Sequence, residues 1–207
     1  MRCIIFAASR ITDYNHISEV LLPDDYIICA DGGFKHANML NLKTDIVIGD
    51  LDSNELDIPT GTELIKYPSE KDETDTMLAA NIALERGYQD IIIFGGLGGR
   101  FDHSLANLGL LFWIKQKGGN GRLIDENNEI SILLFGKIDI QRRDGWKISF
   151  FPLNGEVKGV TLTGLKYPLC NYHLKSNNPI AISNEFVSDT ATVEIENGVL
   201  VIVLARD

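Results

Sequence analysis

Short apolar runs recur through the first 125 or so residues, each followed by a break rich in glycine or aspartate and then by a stretch of helical spacing. The sharpest is Asp45-Ile46-Val47-Ile48-Gly49-Asp50-Leu51-Asp52-Ser53. An unbroken apolar run this short, rich in β-branched residues, predicts a strand buried on both faces. Companion runs lie at Arg2–Ala8, Tyr26–Ala30, Glu63–Tyr67, Asp90–Phe94 and Arg122–Asp125. Between them, Tyr14–Leu22, Phe34–Leu42, Asp72–Arg86 and His103–Lys117 read as helices, the last two stopped by Gly87 and by Gly118-Gly119. Such alternation predicts a parallel sheet with helices on both faces. In these sheets the ligand lies beyond the carboxyl ends of the strands. Asp31, Asp50 and the glycines after Phe94 each directly follow a predicted strand, so they are expected along one edge.

The pattern changes after Asn128. Ser131–Phe135, Lys137–Gln141, Lys147–Phe151, Val157–Leu162 and Phe186–Glu194 read as strands, and no helix stands out. Glu196-Asn197-Gly198 reads as a hairpin turn between Val193-Glu194-Ile195 and Val199–Leu204. The fold class expected is therefore α/β: an N-terminal parallel-sheet, Rossmann-like domain over 1–127, then a small all-β sandwich domain over 128–207. With 44% apolar residues the chain has material for a real core. Nineteen basic against 29 acidic residues, net −10, exclude a general attraction to nucleic acid or anionic membrane. No apolar run approaches the roughly 20 residues of a membrane span. The N-terminus reads as a first strand rather than a secretion signal, since Arg10 interrupts it early. Cys3, Cys29 and Cys170 form neither a disulfide framework nor a Cys-x-x-Cys pair, which fits a reducing cytoplasm.

Asp50 and Asp52 stand at i and i+2, so in a still-extended chain both carboxylates point the same way. A hard divalent cation relieves their repulsion, and Mg²⁺ takes oxygen ligands from carboxylates together with substrate phosphates. A solvated turn fits the same stretch taken alone, because Gly, Asp and Ser are turn formers. Asp31-Gly32-Gly33 also reads as a tight turn by itself. At the mouth of the third helix, one cap needs one acceptor, yet Asp72, Glu73, Thr74, Asp75 and Thr76 supply five polar groups, with Lys71 just before them. The excess points to ligand or metal contact. Gly95–Gly99 places four glycines in five residues between strand and helix, a loop whose N–H groups can approach phosphate. Arg100, which binds phosphate oxygens bidentately, follows directly, then Asp102 and His103. The Gly-x-x-x-x-Gly-Lys-Ser/Thr loop of P-loop kinases is absent from the sequence.

Four motifs occur in order: Asp31-Gly32-Gly33, Gly49-Asp50-Leu51-Asp52-Ser53, Ser69-Glu70-Lys71-Asp72-Glu73-Thr74-Asp75, and Gly95-Gly96-Leu97-Gly98-Gly99-Arg100-Phe101-Asp102-His103. With Asn107, and with Gly164–Leu169 and Ile182-Ser183-Asn184-Glu185 in the β half, the chain resembles the thiamine pyrophosphokinases of bacterial type over nearly its whole length. Ala181 departs from the glycine usual in bacterial members. The resemblance implies transfer of the terminal diphosphate of ATP to the hydroxyl of thiamine, giving thiamine diphosphate and AMP. It implies Mg²⁺ held by Asp50, Asp52, Asp72 and Asp75, and phosphate contacts from Lys71 and Arg100. ATP contacts extend to Asp31, Gly32, Thr74, Gly98, Gly99 and His103. Asp102 is expected to orient the nucleophilic end or the metal shell. Thiamine contacts fall to Asp102, Asn107, Ser183 and Asn184. The resemblance also implies a homodimer in which the β domain of one chain completes the site of the other. Two readings of other classes compete. Val47–Ser53 loosely resembles the Asp-x-Asp nucleophile strand of haloacid-dehalogenase-like phosphatases, whose first Asp attacks phosphorus. A nucleotide–Mg²⁺ sensing module without turnover is the other.

Overall fold

β-Branched residues fill the strands of the N-terminal half because those strands are covered on both faces. The computed structural model describes residues 1–49, 58–67 and 72–207, which divide into two units, Met1–Glu126 and Asn127–Asp207. Among the described residues the first unit holds strands β1 (Arg2–Phe6), β2 (Tyr26–Ala30), β3 (Ile46–Gly49), β4 (Glu63–Lys66), β5 (Asp90–Phe94) and β6 (Asn120–Ile124). Helices α1 (Asn15–Val20), α2 (Phe34–Met39), α3 (Asp75–Glu85) and α4 (Phe101–Gln116) connect them. The strands run parallel in the order β4-β3-β2-β1-β5-β6. Ile4, Ile5, Ile28, Ile46, Ile48 and Ile91–Ile93 are all fully buried.

This order contains a reversal. The chain steps outward from β1 through β2 and β3 to β4, then returns to the other side of β1 as β5. Connections leave β1 and β5 in opposite directions, and a crevice opens between their carboxyl ends. The ends stay tied beyond the ladder: Ala7 N donates to Phe94 O at 2.8 Å and Ser9 N to Gly95 O at 3.1 Å. Gly95 has φ +66, and a Cβ there would lie 2.4 Å from Ala7 O. Only glycine fits so close an approach in that conformation.

Helix ends follow the expected glycines: Tyr88 N bonds Ala83 O at 2.9 Å past Gly87, and Gly119 N bonds Ile114 O at 3.0 Å past Gly118. Helix starts differ from expectation. α3 begins at Asp75, not Asp72, because Thr74 is the cap and its hydroxyl accepts Met77 N at 3.2 Å. α4 begins at Phe101, so Asp102 and His103 sit inside its first turn rather than ahead of it.

The second unit has two antiparallel sheets. β7 (Asn128–Leu133), β13 (Leu200–Ala205) and β9 (Lys147–Pro152) form one, paired in that order. β11 (Leu169–Lys175), β10 (Glu156–Thr163), β12 (Thr190–Ile195) and β8 (Gly136–Gln141) form the other. Ile148, Phe150, Leu200 and Ile202 from the first meet Val160, Leu162, Leu174 and Val193 from the second in one buried cluster, which makes the pair a sandwich. Two sequence expectations are corrected here. Glu196-Asn197-Gly198 is no hairpin, because β12 and β13 belong to different sheets. A two-residue Asn-Gly hairpin turn needs positive φ at both residues, whereas Asn197 is not positive and is instead bridged to Lys158 of β10. Phe186 joins only an isolated bridge to Leu165, and the strand begins at Thr190.

Candidate active site

Each loop at the carboxyl edge of the first sheet begins where a strand stops. After β2, Asp31 takes φ +49, an unusual conformation for a non-glycine residue that Asp tolerates better than most. Such backbone positions persist where surroundings over-determine them, and they gather at ligand sites. After β1 come Ala8 and Ser9. After β5 comes the glycine loop, whose Gly96 carbonyl accepts the buried Asn107 side chain at 2.7 Å. From the other side α3 presents Asp75 in its first turn, where the helix N-terminus favours negative charge.

These segments enclose a cleft of about 190 Å³. Its lining brings together Asp31, Thr74, Asp75, Thr76, His103 and Asn107, all singled out in the sequence, with Ser9, Ala7 and Ala8, which were not. Gly98 and Gly99 line a neighbouring cleft of about 250 Å³ with Arg10, Thr12, His16, Asp125 and Glu126. Gly95 belongs to both. The position rule that located Asp31 also fits Ser9 after β1 and Asp125 after β6. Neither is a glycine or a paired acid, so composition gave no reason to single them out.

Other expected residues fall elsewhere. Asp50, Asp52 and Lys71 lie outside the described residues. Asp72 and Gly32 line neither cleft. Asp72 stands two residues ahead of the Thr74 cap of α3. Arg100 and Asp102 form an exposed ion pair at 2.6 Å. Its hydrogen bond from Arg100 holds the Asp102 carboxyl below the usual carboxylate range, and His103 N also donates to it at 2.9 Å. Among the described residues no group of three or more His, Cys, Asp or Glu is placed to share a metal. Burial pushes the Cys29 thiol up to about 12 and raises that of Cys3 as well, so neither is a thiolate nucleophile at neutral pH.

In the second unit Ser183 has φ +54, and its N–H donates to Ser149 Oγ at 2.9 Å. Asn184 is 2% exposed. Its Oδ1 accepts Tyr167 N and Glu185 N, each at 3.0 Å, and its Nδ2 donates to Tyr167 O at 2.8 Å. The Asn184 amide is thus spent on holding two chain segments together, while Ser183 next to it is exposed.

The Ser9 loop has its own support. His36 of α2 is buried; its Nε2 donates to Ser9 O at 2.8 Å, so its Nδ1 is the acceptor for Tyr14 OH, also at 2.8 Å. Burial lowers the His36 pKa. A depressed histidine pKa means the neutral ring is the one that suits the fold. Its contribution is complete above the unfolded value near 6.5 and is lost as pH falls below it. The unfolding free energy of the wild type in urea is therefore expected to drop between pH 7.5 and 5.5, by no more than about 1.4 kcal/mol per pH unit from this residue. His36→Gln, which cannot protonate, should be less stable at pH 7.5 and converge on the wild type at pH 5.5. A constant gap between the two across that range would remove His36 as the cause.

The description "Thiamin pyrophosphokinase, catalytic domain" matches residues 17–121, and "Thiamin pyrophosphokinase, vitamin B1 binding domain" matches 137–200. Thiamine pyrophosphokinase of Bacillus subtilis (strain 168) is 39% identical over 142 residues, 68% of this chain and 66% of that protein, slightly under two thirds of it. The chain belongs to the thiamine pyrophosphokinase family. Solved structures agree. A thiamine pyrophosphokinase crystal structure from Bacillus subtilis superposes over 100% of both chains with a TM-score of 0.91 at 29% identity. A thiamin pyrophosphokinase family protein from Enterococcus faecalis superposes over 100% of both with a TM-score of 0.85 at 30%. Over whole chains the identity is lower than in the 142-residue match, which covers a more similar part. Membership in the thiamine pyrophosphokinase family leaves the phosphatase and sensing-module readings unfavoured.

Proposed function

We propose that the chain catalyses ATP + thiamine → AMP + thiamine diphosphate, with both substrates met at the carboxyl edge of the first sheet. The observation that carries this is the meeting of Asp31, Thr74, Asp75, His103 and Asn107, from three sequence segments, around one cleft at the strand-order reversal. Diphosphoryl transfer needs positioning and charge neutralisation more than covalent chemistry from the protein. Besides His103 and Asn107, the cleft offers the Asp31 and Asp75 carboxylates and the Thr74 and Thr76 hydroxyls, and hard oxygen groups of this kind suit Mg²⁺. Asp75, with Asp50, Asp52 and Asp72 by resemblance, would hold Mg²⁺, which when bound neutralises charge on the triphosphate oxygens. Arg100 and Lys71 are the candidate phosphate contacts. Asp102, kept ionised by Arg100, is suited to orienting a neighbour and poorly suited to proton transfer. Asp31, Gly32, Gly98, Gly99 and His103 complete the ATP contacts.

Thiamine falls to Asn107 and Asp102 on one side and to the Ser183 loop on the other. Asn184 acts there by fixing the loop through Tyr167. We further propose a homodimer in which the Ser183 loop serves the partner's sheet edge, and a cytoplasmic location. The free cysteines support a reducing compartment. No helix among the described residues is long and apolar enough to cross a membrane.

Incubation with ATP, Mg²⁺ and thiamine tests the reaction, with products read by phosphorus NMR and chromatography. AMP and thiamine diphosphate should appear in equal amounts. ADP with thiamine monophosphate, or phosphate without a thiamine ester, would overturn the proposal.

A further inference from the structure

Three segments of the first unit converge on one buried histidine. His36 of α2 is 2% exposed. Its Nε2–H donates to the Ser9 carbonyl and its Nδ1 accepts the Tyr14 hydroxyl, each at 2.8 Å. Tyr14 stands just ahead of α1 and packs against the core cluster that holds Phe34 and Ala37 of α2. Next to His36, Lys35 Nζ donates to the Ala8 carbonyl at 3.2 Å. Two successive carbonyls of the loop after β1 are therefore held from α2. On the side of β5, Ala7 N and Ser9 N donate to Phe94 O and Gly95 O. The start of α2 is itself seated closely on β1, because a Cβ on Gly33 would lie 1.9 Å from Phe6 O. The segment that leads into α2 begins at Asp31, which lines the acidic cleft.

The peptide held by His36 has a particular place. Ser9 lines the acidic cleft and Arg10 lines the neighbouring one. A trans peptide is planar, so holding its carbonyl also sets the direction of its N–H. That N–H belongs to Arg10 and has no partner among the described residues. Backbone N–H groups fixed in advance are the donors that stabilise charge developing in a transfer. We infer that His36 is a positioning residue for the transfer: through the Ser9 carbonyl it holds the Ser9–Arg10 peptide in the orientation that the two joined clefts require. The inference rests on the diphosphate-transfer reading above and deepens it. His36 lines neither cleft. Its effect passes through one hydrogen bond, and the Tyr14 hydroxyl favours the ring tautomer that makes it.

Two variants separate this role from plain support of the fold. His36→Leu loses the donor to Ser9. His36→Gln keeps one, since an amide N–H can replace Nε2–H. Both lose imidazole packing, so both should melt below the wild type. Rates are compared at a temperature where melts show all three proteins folded. There kcat of His36→Leu should fall about 10- to 100-fold, the loss expected from a misplacement of about 1 Å in a transfer site, while that of His36→Gln stays within about threefold of the wild type. The KM for thiamine should stay within about twofold in both, as it does when an interaction made only in the transition state is lost. Hydrogen exchange at Ser9 and Arg10 should quicken in His36→Leu and stay near the wild-type rate in His36→Gln. Nitrogen-15 spectra of the wild type, which need no variant to fold, should show His36 protonated at Nε2 and bare at Nδ1. Equal losses of kcat in the two variants would overturn the role. So would a kcat of folded His36→Leu equal to that of the wild type, or a wild-type ring protonated at Nδ1 and bare at Nε2. A wild type without turnover would overturn the transfer reading and this role together, whereas the other outcomes strike the role and leave the reaction standing.

Discussion

Asp31→Asn and Asp75→Asn are each expected to lower kcat with ATP and thiamine by about 100- to 1,000-fold, the loss typical when one preorganised electrostatic group is removed from a transfer site. Neither change should unfold the protein. Asn is, after glycine, the side chain best suited to positive φ, so Asp31→Asn keeps the backbone at φ +49 while removing the charge. Asp75 lies in the first turn of α3, where losing a negative charge costs about 0.3–1 kcal/mol. For a chain of this size that is a fall of about 2–4 °C per kcal/mol in melting temperature. Relief of repulsion between the two acids works against even that. Thermal melts and steady-state kinetics on the same preparations check the claim. Asp72→Asn extends the series to a metal ligand assigned by resemblance, at a residue that precedes the helix and lines neither cleft. Full activity of Asp31→Asn and Asp75→Asn at saturating ATP and Mg²⁺ would reduce both residues to turn and helix-start formers.

The edge on which these residues meet was legible because strand and break are adjacent in sequence: a run such as Tyr26–Ala30 ends and Asp31 begins. A position immediately after a buried parallel strand is at the edge by topology alone, whatever its type. The division of that edge into two clefts was not legible. It depends on Gly95 approaching the Ala7 carbonyl, a contact between loops 88 residues apart in the chain that no local pattern encodes. The support of Ser9 by His36 is likewise a meeting of distant elements, and a histidine on a short helix gives no sign of its partner. In the β unit, β11 was missed because it is an edge strand with a single fully buried residue, Leu174, and because Asn171 at φ +45 breaks its alternation. Asn-Gly at 197–198 misled for the opposite reason. The local signal was strong, but Asn197 is held by β10, and the chain passes on to the other sheet. Asn184 looked like a ligand residue by resemblance, and no local pattern announced that its amide also bonds the backbone of Tyr167 and Glu185.

A mixture of two inactive variants is expected to regain about a quarter of wild-type activity. The proposal behind this is that the Ser183 loop of one chain completes the sheet-edge site of its partner. One variant carries Asp75→Asn and disables the site on its own sheet. The other carries Ser183→Arg and disables the site on its partner's sheet. Arginine adds bulk and a positive charge opposite a cationic substrate, while the backbone N–H that binds Ser149 Oγ remains. Asn184→Ala is the poorer choice, since it would release Tyr167 and confuse loss of fold with loss of binding. Each homodimer alone should retain about 1% of wild-type activity or less. After joint unfolding and refolding, random pairing makes about half of the dimers mixed. In a mixed dimer one site receives both lesions and the other receives none. Half of the dimers with half of their sites intact is a quarter of the activity. If each site lay within a single chain, every site in every dimer would keep one lesion and mixing would restore nothing. Native mass spectrometry counts the mixed dimers, and activity that stays at the level of the separate variants despite their presence would confine Ser183 to a site within its own chain.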